Sequence, residues 1–80
     1  PLLPQEQASE ALLMGLRLHA GVDLGRIASR SGVARDGLVK HDRVAKLEAL
    51  GLINSKGDHL RVTPAGMLLL DHILGEIVAV

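Results

Sequence analysis

Between residues 22 and 63 the chain is cut into short segments by residues that cannot continue what precedes them. No other feature constrains the fold as much. The frame is set by Ala28-x-x-x-Gly32 and by Lys46-Leu47-Glu48-Ala49-Leu50-Gly51-Leu52-Ile53. Asp23 can accept from the free amides of a following helical turn, with Val22 and Ile27 at the flanking staple positions. Leu24, Ile27 and Ala28 then form an inward face and Arg26, Ser29 and Arg30 an outward one. Gly32 supplies the positive φ that closes such a helix. Asp36-Gly37 is a turn signal, so the next helix is expected near His41 and Asp42, with Asp42 as its cap. Val44, Leu47 and Leu50 are expected to face the core, and Gly51 to end the helix.

Residues 52–55 and 59–62 read as a hairpin around Lys56-Gly57-Asp58. Leu60 and Val62 alternate with His59, Arg61 and Thr63, as in a strand with one wet face. Thr63-Pro64 opens a last helix with a capping hydroxyl and a proline at a position where no amide is missed. Helix, glycine turn, helix and hairpin, in that order, spell a winged helix-turn-helix. The fold expected is mainly α, with about four helices and a two-stranded wing.

Residues 1–4 read as a linker remnant and residues 5–80 as one domain. Apolar residues at 8, 11, 12 and 16 and at 13, 14 and 18 give a first helix over residues 5–19 with a wide buried stripe. Gly15 inside it costs about 1 kcal/mol relative to Ala unless a close backbone approach requires it. Residues 65–80 are apolar almost all round, which predicts a helix largely buried or pressed against something outside the chain.

Eighty residues support one small core. With 48% hydrophobic residues and no Phe, Tyr or Trp, that core must be aliphatic. The absence of Cys excludes a disulfide framework, a thiolate zinc site and a cysteine-ligated iron–sulfur cluster within the chain, and fits a cytoplasmic protein. No apolar run reaches the ~18–20 residues of a membrane span. A start without Met or a basic leader suggests a piece of a longer chain. Net charge is zero, but residues 21–63 hold eight Lys and Arg against five acids, while the flanks hold Arg17 against Glu6, Glu10, Asp71 and Glu76.

Glu10-Ala-Leu-Leu-Met14-Gly-Leu-Arg17-Leu followed by Gly21-Val-Asp23-Leu resembles one particular domain, and Leu50-Gly-Leu-Ile53 and Leu60-Arg-Val-Thr-Pro64-Ala-Gly66-Met-Leu-Leu-Leu70 extend the resemblance. It is the C-terminal domain of radical SAM proteins related to oxygen-independent coproporphyrinogen III oxidase, including haem chaperones. The likeness runs from about Gln5 to Val80. The leucine-glycine and threonine-proline motifs are common to many winged-helix proteins, so the first stretch discriminates. The resemblance implies a partner, the N-terminal radical SAM domain of the same chain, whose Cys-x-x-x-Cys-x-x-Cys motif holds a 4Fe-4S cluster beside S-adenosylmethionine. Haem is the third group it implies for some members. The present domain would pack beside that barrel and help cover its opening. No family cysteine carries over.

Few residues stand out as sites. Arg17 suits a propionate or partner carboxylate across an interdomain face, or an ion pair tying the first helix to its neighbours. Met67, Leu70, Leu74 and Val78 are expected on an exposed apolar side of the last helix, in contact with the other domain or with a second copy in a homodimer. His19, His41, His59 and His72 show no metal-binding spacing, and surface roles account for them better. Lys40, Arg43, Lys46, Lys56 and Arg61 could contact phosphates in a DNA-binding regulator, the rival reading. Interleaved Asp42, Glu48 and Asp58, and a turn longer than the usual ~3–4 residues, favour a solvated mixed-charge face. Ser9, Ser29, Ser31 and Ser55 show no base-and-orienter arrangement.

Overall fold

A computed structural model describes residues 2–80. Five helices surround a small antiparallel sheet: α1 (Pro4–Gly15), β1 (Val22–Asp23), α2 (Leu24–Ser31), α3 (His41–Ala49), β2 (Ile53–Lys56), β3 (His59–Val62), α4 (Pro64–Met67) and α5 (Leu70–Ile77). A 3-10 turn, Arg35–Gly37, lies between α2 and α3. The four longer elements and the winged sheet match the mainly helical architecture expected. The sheet has three strands rather than two, in the order β1-β3-β2. Val22 and Asp23 pair with Leu60 and His59, a union too short to leave any alternation in the sequence.

The middle of the chain follows its local signals. Asp23 Oδ1 accepts from the Arg26 amide at 3.1 Å and caps α2. Gly32 ends the helix at φ 81°, its amide donating to Ala28 O at 2.9 Å. The β2–β3 register runs from Ile53 opposite Val62 to Lys56 opposite His59, with Gly57 at φ 61° in the loop between. Thr63 Oγ1 accepts from the Gly66 amide at 3.1 Å and donates to Gly51 O at 2.7 Å, joining the start of α4 to the end of α3.

Two expectations about α3 need correction. Its cap position is Lys40, with no side-chain cap, and Asp42 lies inside the first turn, 3.6 Å from Arg43. The amide of Lys40 is already taken by Ile77 O at 2.7 Å, so tertiary contact fixes the helix start. Leu50 is exposed, because the helix ends at Ala49 and Leu52 N turns back to Leu47 O. Val44, Leu47 and then Ile53 fill the core there.

The outer helices differ more from expectation. α1 stops at Gly15, short of residue 19, because the chain folds back there to deliver Val22 to the sheet. A Cβ on Gly15 would overlap the Val22 side chain, which accounts for the glycine. The buried stripe is the narrow set Ala8, Leu12 and Leu16, and Ala11, Leu13, Met14 and Leu18 stay exposed.

The last helix is broken in two. Gly66 sits so close to the carbonyl of Leu52 that any Cβ would overlap it, so α4 is seated on the lead into β2. Leu68 and Leu69 then form a bend, and α5 sets off towards α3, burying Ile73, Leu74 and Ile77. Beyond Ile77 the backbone is extended. Val78 bridges to Val39, and Ala79 N donates to Leu38 O at 3.0 Å. The core, drawn from every helix except α4 and from all three strands, is wholly aliphatic.

Candidate functional site

The bend between α4 and α5 turns apolar side chains outward. Leu68 is 87% exposed and Leu69 49%. Together with Arg17, Met67, Leu70, Asp71 and His72 they line an open surface cavity of about 470 Å³. Arg17 reaches it from beyond the end of α1 and lies 3.7 Å from Asp71 of α5. Both partners are exposed, so water screens the pair and it adds little stability. What it does is set a charged edge beside bare leucines.

Three of the expected contact residues, Arg17, Met67 and Leu70, are therefore neighbours. The other two are not. Leu74 is only 4% exposed and belongs to the core, and Val78 packs against the core from its bridge with Val39. Leu70 and Leu74 share one face of α5, and that face turns inward: Leu74 is buried, and Leu70, like Met67, is half-buried and packs against the core. Leu68 and Leu69 take the exposed role. Their only sequence signal is Gly66 close before them, a residue whose reason is visible only in three dimensions.

Next to this cavity, across Asp71 and His72, Glu76 forms a hub that spacing alone did not reveal. Its carboxylate lies 3.4 Å from Lys46 Nζ, 3.5 Å from Arg43 and 3.1 Å from His72 Nε2. Burial, the largest single influence on it, pushes the carboxyl up, but Lys46, His72 and Arg43 together outweigh that and hold it below the ordinary value. Two cations of α3 are thus drawn onto α5. Glu48 spends its carboxylate on the Ser55 amide at 3.0 Å.

The hairpin tip is held as well. Asp58 O accepts from Leu24 N at 2.8 Å, and the Asp58 carboxylate is bound by Arg35, whose guanidinium that hydrogen bond raises further. Arg35 also reaches Asp36 at 3.1 Å. The ring of His59 meets Ala20 O at 2.6 Å. The wing is therefore folded onto the start of α2. Of the basic set considered for phosphate contact, Arg43 and Lys46 face Glu76, while Lys40, Lys56 and Arg61 make no ion pair among the described residues.

The histidines are dispersed. His41 lies 3.9 Å from Asp36, His72 beside Glu76, and His59 on the wing. Among the described residues no group of three or more His, Asp or Glu could hold a metal ion. Without cysteine the chain has no donor set for an iron–sulfur cluster. Ser31 is spent structurally, donating to Ile27 O at 2.7 Å and accepting from Val33 N at 3.2 Å. No helix among the described residues is long and apolar enough to cross a membrane.

Comparison with known protein families finds a match over most of the chain. The family model of the HemN C-terminal domain covers residues 2–69. No curated protein and no solved structure matches the chain.

Proposed function

The chain belongs to the HemN C-terminal domain family, and from that premise we propose that it is the accessory domain of a cytoplasmic radical SAM protein related to oxygen-independent coproporphyrinogen III oxidase. In this reading it packs beside the catalytic barrel and helps to cover the substrate opening. The 4Fe-4S cluster, S-adenosylmethionine and any haem belong to the other domain, since no thiolate is available here. The observation that carries the reading is the α4–α5 corner. Adjacent leucines at a bend, one of them almost fully exposed, are apolar surface left without a partner in a small domain, with Arg17 and Asp71 as its polar rim.

Two features favour this over duplex DNA binding. The α3 cations Arg43 and Lys46 are drawn into ion pairs with Glu76 and Asp42, and the wing tip is tied back through Asp58. A phosphate-reading surface needs both free.

The test is reassembly. The parent protein is divided before this domain, and association of the two pieces is followed by calorimetry. Leu68→Asp with Leu69→Asp should abolish association while leaving the domain's own melting temperature within a few degrees and the cluster's absorbance unchanged. Undiminished association would remove the corner from the interface. An upstream chain lacking Cys-x-x-x-Cys-x-x-Cys would remove the radical SAM assignment itself.

A further inference from the structure

Most acids of this domain are used internally. Asp36, Asp42, Asp58, Asp71 and Glu76 are in ion pairs, and Glu6, Asp23 and Glu48 accept from backbone amides. Among the described residues Glu10 alone has neither. Arg26 and Arg30 of α2 are likewise in no ion pair among the described residues, and they stand four residues apart on one exposed helix face. Like charges at that spacing repel and weaken a helix. A local conflict of that kind, with no compensating partner in the fold, is expected where function requires it.

Glu10 on one side and Arg26 with Arg30 on the other lie on opposite edges of one surface. Arg26 and Arg30 flank a cleft of about 210 Å³ floored by Ala11 and Ile27, with Gln7 on its rim. Gln7 and Ala11 also line the adjoining groove, whose other walls are Leu2, Glu10 and Met14. Gln7 Nε2 donates to Arg30 O at 3.5 Å, tying α1 to α2. Crossing the surface from α2, one meets two arginines, a strip with small Ala11 at its centre, exposed Leu2 and Met14, and then an unpaired carboxylate. A basic edge, an apolar seam and an acidic edge make a surface complementary to its own two-fold rotation. The cleft is too small for the ~300–1,000 Å³ typical of small-molecule sites. A side chain fits it better.

We propose that this face receives a second copy of the chain: two α1–α2 faces meet about a two-fold axis near Ala11, and Glu10 of each copy pairs with Arg26 and Arg30 of the other. The small side chain of Ala11 lets the two α1 helices approach closely, and Leu2 and Met14 cover the seam. The contact uses none of the residues at the α4–α5 corner, so it stands or falls separately from the interdomain reading.

Sedimentation equilibrium of the 80-residue chain tests it. The native chain should dimerise, more weakly as salt rises. Arg26→Glu with Arg30→Glu should weaken association by ~10-fold or more, and adding Glu10→Arg to that pair should restore it. Leu68→Asp with Leu69→Asp should leave it unchanged. Circular dichroism confirms that each variant is folded. If the double reversal does not fold, Arg26→Gln with Arg30→Gln replaces it, and the loss of association is again expected. A native chain that stays monomeric overturns the proposal. So does a dimer indifferent to the arginine substitutions, or a triple variant without rescue.

Discussion

The segment from β1 to β3 and the two helical ends of this domain are built on different principles. In the segment, each turn of direction is enforced by a polar atom or a positive φ: Asp23 on the Arg26 amide, Gly32 after α2, Gly57 in the hairpin, Arg35 on Asp58. The ends have few such devices. α1 and α5 are placed by where their leucines and isoleucines fit, and the residues left over, Leu13, Met14, Leu18, Leu68 and Leu69, face outward. Of its large hydrophobics the polar-punctuated segment leaves only Leu50 exposed among the described residues. An apolar end keeps surface for something else.

Breaking that contrast begins where the two halves touch. Gly66→Ala forces a Cβ into the Leu52 carbonyl, a backbone atom that cannot move aside without disturbing β2. We expect a loss of about 3 kcal/mol, at the upper end for overpacking, read as a fall in the denaturant midpoint at unchanged slope. A stability change near zero would mean that α4 slides freely on the sheet. Asp23→Ala removes only a cap. It should cost about 1 kcal/mol, because Leu24 and Ile27 still anchor α2 in the core. Chemical denaturation would measure it, and a much larger loss would show that the segment depends on its polar devices more than on its core.

The smallest effect is expected at Glu76, and it depends on pH. Its folded value lies below the ordinary one of 4.5, so its contribution to stability is complete above that pH and is lost as pH falls through the lowered folded value. In Glu76→Gln this part of the acid loss should be absent, so the mutant's stability should be flatter than that of the native domain across that acid window. Parallel acid unfolding curves would show that Lys46 and Arg43 gain nothing from the hub.

These two principles also decide what could be read from the sequence. Asp23, Gly32 and Gly51 act on residues within one turn of themselves, as does Thr63 in capping α4, so those roles were legible one by one. Leu50 misled because the helical period carries on in the sequence after the helix has stopped. Asp42 misled because the first turn of α3 is fixed by Ile77, a residue from the far end of the chain. The bend at Leu68 and Leu69 was hidden for a similar reason: it follows Gly66, whose close seat on the Leu52 carbonyl exists only in three dimensions. Of the candidate site, Arg17, Met67 and Leu70 line one surface cavity, whereas Leu74, a turn further along α5, is buried against α3, a contact that periodicity does not encode.

Leu2 and Val80 line one and the same groove, so these two residues lie near each other in the fold. A body with neighbouring ends is easily rearranged. It can be spliced into a loop of another protein without prying that loop apart, or joined end to end and reopened at the hairpin tip around Gly57, because the order in which its elements are strung matters less than the places they occupy.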